Sequence, residues 1–344
     1  MKLTSYPKEK INILLLENIS DNAVKEFKAA GYPNVKKIKE ALSEKELAKE
    51  IKNIHLLGIR SKTQLSKNVL NKADKLLAAG CYCIGTNQVD LHTANQNGVV
   101  IFNAPYSNTR SVAELVIGLA IILLRKIPEK NNAAHAGTWM KDAAGSFELR
   151  GKILGLIGYG NIGSQVSILA EALGMQVIYY DVEPKLPLGN AKPVRTLKEL
   201  LQSSNIISLH IPENTDTKNL IGTQEFNTIQ NGCILINYSR GNVVDLDAMK
   251  IAIKNKKLGG AAIDVFPEEP EKNGSKFSTV LQNLPNVILT PHIGGSTEEA
   301  QMNISEDVTF KLLNYLDKGI TTGSFTVPSI SLPVQENTHR ILHI

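Results

Sequence analysis

The sequence predicts an α/β fold built from two doubly wound units, and three observations predict it. Short apolar runs alternate with helical stretches along nearly the whole chain, the rhythm of parallel sheets covered by helices. In the middle, residues 153–181 read as a strand, a glycine turn, a helix and a second strand that ends in an acid. The length of 344 residues is enough for two cores of this kind, at roughly 150 residues per domain.

The first unit opens with a buried strand over residues 11–16. Residues 21–30 follow as a helix closed by Gly31. A helix over residues 43–52 starts on Ser43 and Glu46, which are spaced as a capping box. Residues 54–59 form a strand that delivers Arg60 and Ser61 to its C-terminal end. Residues 75–79, 81–84 and 99–102 continue the alternation, with Cys81 and Cys83 on one face of a short strand. This unit looks doubly wound but carries no glycine fingerprint.

Next comes SNTRSVAELVIGLAIILLRKIP, in which Ser111 and Glu114 have capping-box spacing and apolar residues follow on nearly all sides up to Leu124. A helix apolar all round must be buried, in a core or at a subunit interface. Trp139, on a polar segment just beyond, reads either as an interface anchor or as an intramolecular packing residue.

The central segment has the dinucleotide fingerprint in full context. Gly158, Gly160 and Gly163 give G-x-G-x-x-G after an apolar strand. The first glycine permits the tight turn, the second lets backbone approach a pyrophosphate, and the third lets helix and strand pack closely. A helix over residues 162–173 then points its N-terminal N–H groups at the phosphates. Asp181 lies 18 residues past Gly163 at the end of the next strand. A carboxylate there can hold a ribose 2′-hydroxyl and repel a 2′-phosphate, which favours NAD over NADP. Strands at residues 206–209, 234–236, 261–265 and 287–289, with helices at 197–201, 223–228 and 246–254, complete a six-stranded dinucleotide domain. A helix over residues 298–316 is long enough to return to the first unit. Two Rossmann-like units with a fingerprint only in the second imply a cofactor cleft between them.

Composition narrows the function classes. Apolar residues are 42% and charged residues 21%, ordinary for a globular protein. The net charge of +5 is compatible with a small anionic substrate. Its densest basic stretch, residues 25–52, interleaves lysines with Glu26, Glu40, Glu44, Glu46 and Glu50. A solvated helix face explains that better than nucleic-acid binding. Three cysteines cannot make a disulfide framework, and scattered histidines suggest no metal site. Buried free thiols fit a reducing cytoplasm. The run at 11–16 is too short for a signal peptide, and that at 115–124 too short for a membrane span.

Three short pieces follow predicted strands, where such sheets place ligands. They are NYSRG, DVFPEEP and TPHIGG, and they supply Arg240, Asp264, Glu269 and His292. Hydride transfer to or from a 2-hydroxy acid needs a base for the hydroxyl proton. Histidine exchanges a proton near neutral pH, and a carboxylate on its other nitrogen fixes the tautomer. A guanidinium can grip the substrate carboxylate in two-pronged fashion.

NYSRGNVVD, DVFPEEP and PHIGGST resemble the signatures of the D-2-hydroxyacid dehydrogenase family. SNTRSVAELVIGLAIILLR, AAGSFELRGKILGLIGYGNIGS, CIGTNQVDL and KLPLGN are most similar to its bacterial branch acting on 3-phosphoglycerate. The resemblance runs from about Lys10 to the end of the chain. It implies that Arg240 binds and polarises substrate, His292 is the acid/base, and Glu269 orients His292. Glu268 is adjacent, but the family pattern puts the acid directly before proline. By the same resemblance NAD is held by Asn161, Ile162, Asp181, Tyr238, Ser239, Arg240, Asp264, His292, Ile293, Gly294 and Gly295, beside Gly158, Gly160 and Gly163. Arg60, Ser61 and Asn108 match substrate-lining positions, and Lys39 and Lys141 are weaker candidates for the phosphate.

The implied reaction is reversible oxidation of 3-phosphoglycerate, the first step of serine synthesis, with 2-oxoglutarate as a further oxidant. A glyoxylate or hydroxypyruvate reductase is the alternative within the family, and an NAD-binding corepressor the alternative outside catalysis. Tyr238 replaces what is commonly a small residue in the family, with its bulk expected near the adenosine side of the cofactor. The expected domains are a substrate domain over 1–108, an NAD domain over 109–295, a return segment over 296–328, and a tail over 329–344 that resembles the start of an ACT regulatory domain. The chain ends before such a domain could form, so that tail is expected to be poorly ordered. A homodimer through the NAD domain, or a tetramer, is the expected assembly, and neither metal, membrane nor nucleic acid is expected.

Overall fold

A computed structural model describes residues 6–270 and 274–333. The described residues form two compact units: one comprises those up to Asn108 and from Glu298 onward, the other those within Thr109–Thr297.

In the first unit the elements run β1 (Ile13–Leu15), α1 (Asp21–Ala29), β2 (Val35–Lys37), α2 (Glu44–Glu50), β3 (Leu56–Ile59), α3 (Lys67–Leu70), β4 (Ala78–Cys81), α4 (Leu91–Gln96) and β5 (Val100–Asn103). The described strands form a parallel five-stranded sheet in the order β2-β1-β3-β4-β5. Alternate residues of these strands serve opposite faces. Leu14, Leu57, Ala79 and Ile101 meet Leu47, Val69, Leu70 and Ala94 on one side. On the other, Ile13, Leu15, Leu56 and Phe102 meet Phe27 of α1 and Ile304, Val308 and Leu312 of the C-terminal helix Glu298–Lys318. Both faces are covered, which is why these strands read as unbroken apolar runs. The chain then returns along β5, where Phe325 N–H donates to Ile101 O at 2.9 Å. The Ser43–Glu46 capping box is present at the start of α2.

The second unit contains α5 (Thr109–Leu124), α6 (Ile127–His135), β6 (Ile153–Ile157), α7 (Asn161–Ala172), β7 (Gln176–Tyr180), β8 (Lys192–Pro193), α8 (Leu197–Ser203), β9 (Ile206–Leu209), α9 (Thr223–Thr228), β10 (Cys233–Asn237), α10 (Leu246–Lys254), β11 (Leu258–Ile263) and β12 (Val287–Leu289). Its described strands are all parallel, in the order β12-β11-β10-β9-β6-β7-β8. Helices α5 and α7 cover one face through Val116, Ala120, Val166 and Ala170. Helices α8, α9 and α10 cover the other through Leu200, Phe226 and Met249.

Several expectations need correction. This sheet has seven described strands rather than six, because the two-residue edge strand β8 is too short to register as an apolar run. Residues 75–84 make one strand, Ala78–Cys81, and Cys83 lies past it, only half-buried. Ser111 does not cap α5, which begins two residues earlier. Its hydroxyl pairs with Thr297 Oγ1 at 2.9 Å, while Glu114 accepts from Arg110 at 2.6 Å. Half of the residues of helix α5 are buried, while Arg110, Glu114 and Ile121 are exposed. Trp139 is 85% exposed, so it does not serve as an internal packing residue. Helices α3, α4 and α6 and strand β2 carry too few apolar residues to stand out in the sequence. Of the ACT-like tail, residues 334–344 lie outside the described residues.

Candidate active site

Strand order reverses between β6 and β9, and such a switch point opens a ligand crevice at the C-terminal strand ends. Gly158 follows β6 directly with φ +91, and a Cβ there would sit 2.5 Å from the His210 carbonyl oxygen. Only glycine fits. Gly160 caps α7, and nothing lies within 4 Å of where its Cβ would be. Backbone is thus exposed at the positive end of a 12-residue helix whose first N–H groups have no intrahelical acceptor. Asp181 ends β7: its Oδ2 accepts from Tyr159 N–H at 2.7 Å and its Oδ1 from Glu183 N–H at 2.9 Å. The acid therefore braces the glycine turn, while each oxygen keeps a lone pair for a further donor. This cradle suits a dinucleotide with its pyrophosphate at the helix N-terminus.

The remaining side chains arise at the ends of β10, β11 and β12. Asn237, fully buried, fixes the turn after β10. Its Oδ1 accepts from Ser239 N–H and Oγ at 3.1 and 2.9 Å, and its Nδ2 donates to Arg240 O at 3.0 Å. Arg240 emerges exposed from this turn. Gly241 seats the turn on the strand-end segment of β11, since a Cβ there would lie 2.1 Å from the Phe266 carbonyl carbon. Asp264, 2% exposed, accepts from Ile293 N–H at 2.8 Å, Gly294 N–H at 2.7 Å and Thr290 Oγ1 at 2.6 Å. It thereby shapes the loop that carries His292.

The side chain of Tyr238 is not where its bulk was expected. It is 6% exposed, its ring packs in the core under Gly294, and its hydroxyl pairs with Thr290 Oγ1 at 2.7 Å. The ring turns into the domain because the loop glycine leaves room for it there.

His292 and Glu269 form the centre. Nδ1 of His292 lies 2.7 Å from Glu269 Oε2, and Glu269 Oε1 accepts from Phe266 N–H at 3.0 Å. The histidine sits at φ +54, a left-handed conformation uncommon outside glycine and asparagine. Two groups hold it there, since its N–H donates to Asp264 O at 2.8 Å and lies 3.1 Å from Thr290 O. The hydrogen bond to Glu269 raises the imidazole pKa above its usual value. Burial opposes the rise, the charges of Glu269 and Asp264 add to it, and Arg240 opposes it. For Glu269, burial pushes the carboxyl up, but hydrogen bonds from His292 and Phe266 and the charges of His292 and Arg240 hold it below the ordinary range. A second histidine, His210, has its pKa lowered by burial to about 3. It pairs through Nε2 with Ser208 Oγ at 2.9 Å.

In the first unit, Arg60 and Ser61 follow β3, with Arg60 half-buried and Ser61 exposed. Asn108 is half-buried, and its Oδ1 has no hydrogen-bond partner among the described residues. Lys39 and Lys141 are exposed. Sequence reasoning did not pick out Thr290, which joins Tyr238 to Asp264, nor Glu17 and Gln88, which grip the Arg60 loop. For Thr290 the available signal was a polar residue directly after a strand end.

A doubly wound dinucleotide domain with a carboxylate–imidazole pair beyond its later strands is the architecture of an NAD-linked dehydrogenase. The chain belongs to the D-isomer specific 2-hydroxyacid dehydrogenase family, whose NAD-binding-domain model matches residues 117–294. It is 52% identical to D-3-phosphoglycerate dehydrogenase of Escherichia coli K12 over 344 residues, covering 100% of this chain and 84% of that protein. The Haemophilus influenzae enzyme of the same name is 53% identical over 340 residues, 99% of this chain and 83% of the relative. Among solved structures, D-2-hydroxyisocaproate dehydrogenase superposes with TM-score 0.83 at 27% identity, covering 92% of this chain and 100% of the other. The NAD and lactic acid complex of D-lactate dehydrogenase from Aquifex aeolicus gives TM-score 0.77 at 27% identity over 92% and 100% of the two chains.

Proposed function

We propose that this chain catalyses the reversible NAD-linked oxidation of 3-phosphoglycerate to 3-phosphohydroxypyruvate, the step that opens serine synthesis. The observation that carries this is the 2.7 Å Glu269–His292 pair in a chain 52% identical, end to end, to the Escherichia coli phosphoglycerate dehydrogenase. Bound NAD supplies the hydride acceptor. His292, with Nδ1 committed to Glu269, takes the substrate hydroxyl proton on Nε2 in oxidation and returns it to the ketone oxygen in reduction. Glu269 fixes the tautomer and favours the charged imidazolium. Arg240 grips the substrate carboxylate and polarises the neighbouring carbonyl. Arg60, with Ser61 and Asn108, takes the phosphate, and the first unit is accordingly the substrate domain. Gly158 to Gly163, Asp181, the Tyr238–Arg240 turn, Asp264 and the Ile293–Gly295 backbone hold the cofactor. The reduced cysteines suit the cytoplasm, and exposed Trp139 and Ile121 suit a homodimer through the second unit. No helix among the described residues is long and apolar enough to cross a membrane.

The test follows NADH absorbance with 3-phosphohydroxypyruvate, 2-oxoglutarate, hydroxypyruvate and glyoxylate. The phosphorylated substrate should lead hydroxypyruvate in kcat/KM on the order of 10²-fold or more, because the analogue leaves the half-buried Arg60 without its anionic partner. Equal turnover of hydroxypyruvate would overturn the reading.

A further inference from the structure

The first unit has its own switch point, between β1 and β3, in the strand order β2-β1-β3-β4-β5. Glu17 sits just past the end of β1 and is only 8% exposed. Its carboxylate is filled by the loop that follows β3. Oε1 accepts from Arg60 N–H at 3.0 Å and Thr63 N–H at 2.9 Å, and Oε2 accepts from Lys62 N–H at 3.0 Å. From the other side, Gln88, 6% exposed, donates its Nε2 to Arg60 O at 2.8 Å. Glu17 and Asn18 both adopt the left-handed region, with φ of 57 and 53. Non-glycine residues hold that conformation only where their surroundings impose it, and such strain clusters at functional sites. Here Glu17 N–H is tied to Glu40 O at 3.1 Å, and Asn18 N–H to Ile38 O at 3.4 Å. The strained turn aims the carboxylate inward at the loop. Thr63 is fully buried while Ser61 and Lys62 face outward, so the loop is anchored from below and presented above.

We propose that Glu17 is a positioning residue for substrate binding: its buried carboxylate sets the conformation of the Arg60–Thr63 loop and so the direction in which Arg60 is presented. The inference rests on the reading of Arg60 as the phosphate ligand. Three N–H groups converge on two oxygens, so no neutral isostere can satisfy them. In Glu17→Gln one oxygen becomes an amide nitrogen, which must face at least one N–H donor. The loop must then shift, and Arg60 with it. All of the residues in this arrangement belong to the first unit.

The experiment measures steady-state kinetics and thermal unfolding of Glu17→Gln, Arg60→Ala and the double variant in the full chain. Glu17→Gln should raise KM for 3-phosphohydroxypyruvate at least tenfold, leave KM for NADH within twofold and lower kcat much less than it raises KM. In the Arg60→Ala background the same change should add little, because its effect passes through Arg60. Glu17→Asp should recover part of the loss. A normal substrate KM in Glu17→Gln, beside a strong defect in Arg60→Ala, overturns the proposal alone. So does a purely thermal effect, a lowered Tm with unchanged KM. An Arg60→Ala variant with normal KM overturns the phosphate assignment and the proposal with it.

Discussion

The two sheets solve the same problem at their switch points in opposite ways. Past β6 the chain turns on glycine, and the N–H groups at the start of α7 are left for a ligand. In the first unit it is the loop on the other side of the switch, past β3, whose N–H groups matter, and they are consumed by the carboxylate of Glu17. An internal anion occupies the kind of backbone nest that the second unit offers to a pyrophosphate. The difference teaches what each unit can recognise. On the proposed reading the second holds phosphate through its backbone, whereas the first, its nest already filled, is left with side chains, and Arg60 and Lys62 are the cations of that loop.

Three substitutions test this contrast. Gly158→Ala has the largest expected effect: a Cβ at φ +91, 2.5 Å from a carbonyl oxygen, forces the turn open. NAD affinity should fall on the order of 10²-fold or more, from backbone strain of about 1–3 kcal/mol together with the clash. Isothermal titration reads it, and normal NAD binding would show that this turn is not the cofactor nest.

Glu269→Gln acts next. Reduction needs the charged imidazolium of His292, so its rate holds below the raised pKa and falls as pH climbs through it. Removing the carboxylate removes the main cause of the rise, and the falling limb should move to lower pH. The drop in kcat should be roughly 10²-fold or more. An unmoved limb in the pH profile would separate His292 from Glu269.

The smallest effect belongs to Asp181→Ala. Loss of the acceptor for Tyr159 N–H should weaken the turn by about 1 kcal/mol. The ratio of kcat/KM for NADH over NADPH should fall, and an unchanged ratio would confine the acid to bracing the turn.

The second unit was legible because its chemistry is written in residues with few other uses. A glycine triplet between two apolar runs, and an acid at a fixed distance, leave little freedom. The pieces that carry Glu269 and His292 could be placed because each follows a strand, and the family resemblance chose Glu269 over Glu268, although the 2.7 Å approach depends on the buried acid Asp264, whose structural part is invisible from spacing. The anchor at Glu17 was not legible at all. It joins residues 43 to 46 positions apart, and an acid after a short apolar run has many ordinary explanations. Tyr238 failed for a related reason: whether a side chain turns outward or inward depends on the space beneath Gly294, which no local pattern encodes. Short elements such as β8 and α3 form because tertiary neighbours complete them, against weak propensity of their own.

The C-terminal helix also dictates an order of birth. During synthesis, Phe102 emerges about two hundred residues, and Ile13 and Leu15 almost three hundred, before Ile304, Val308 and Leu312, which cover them. At roughly 5–20 residues per second, that face waits on the order of 10–40 s for its lid. The unit that begins first in the sequence is therefore completed last, after the nucleotide domain has left the ribosome whole.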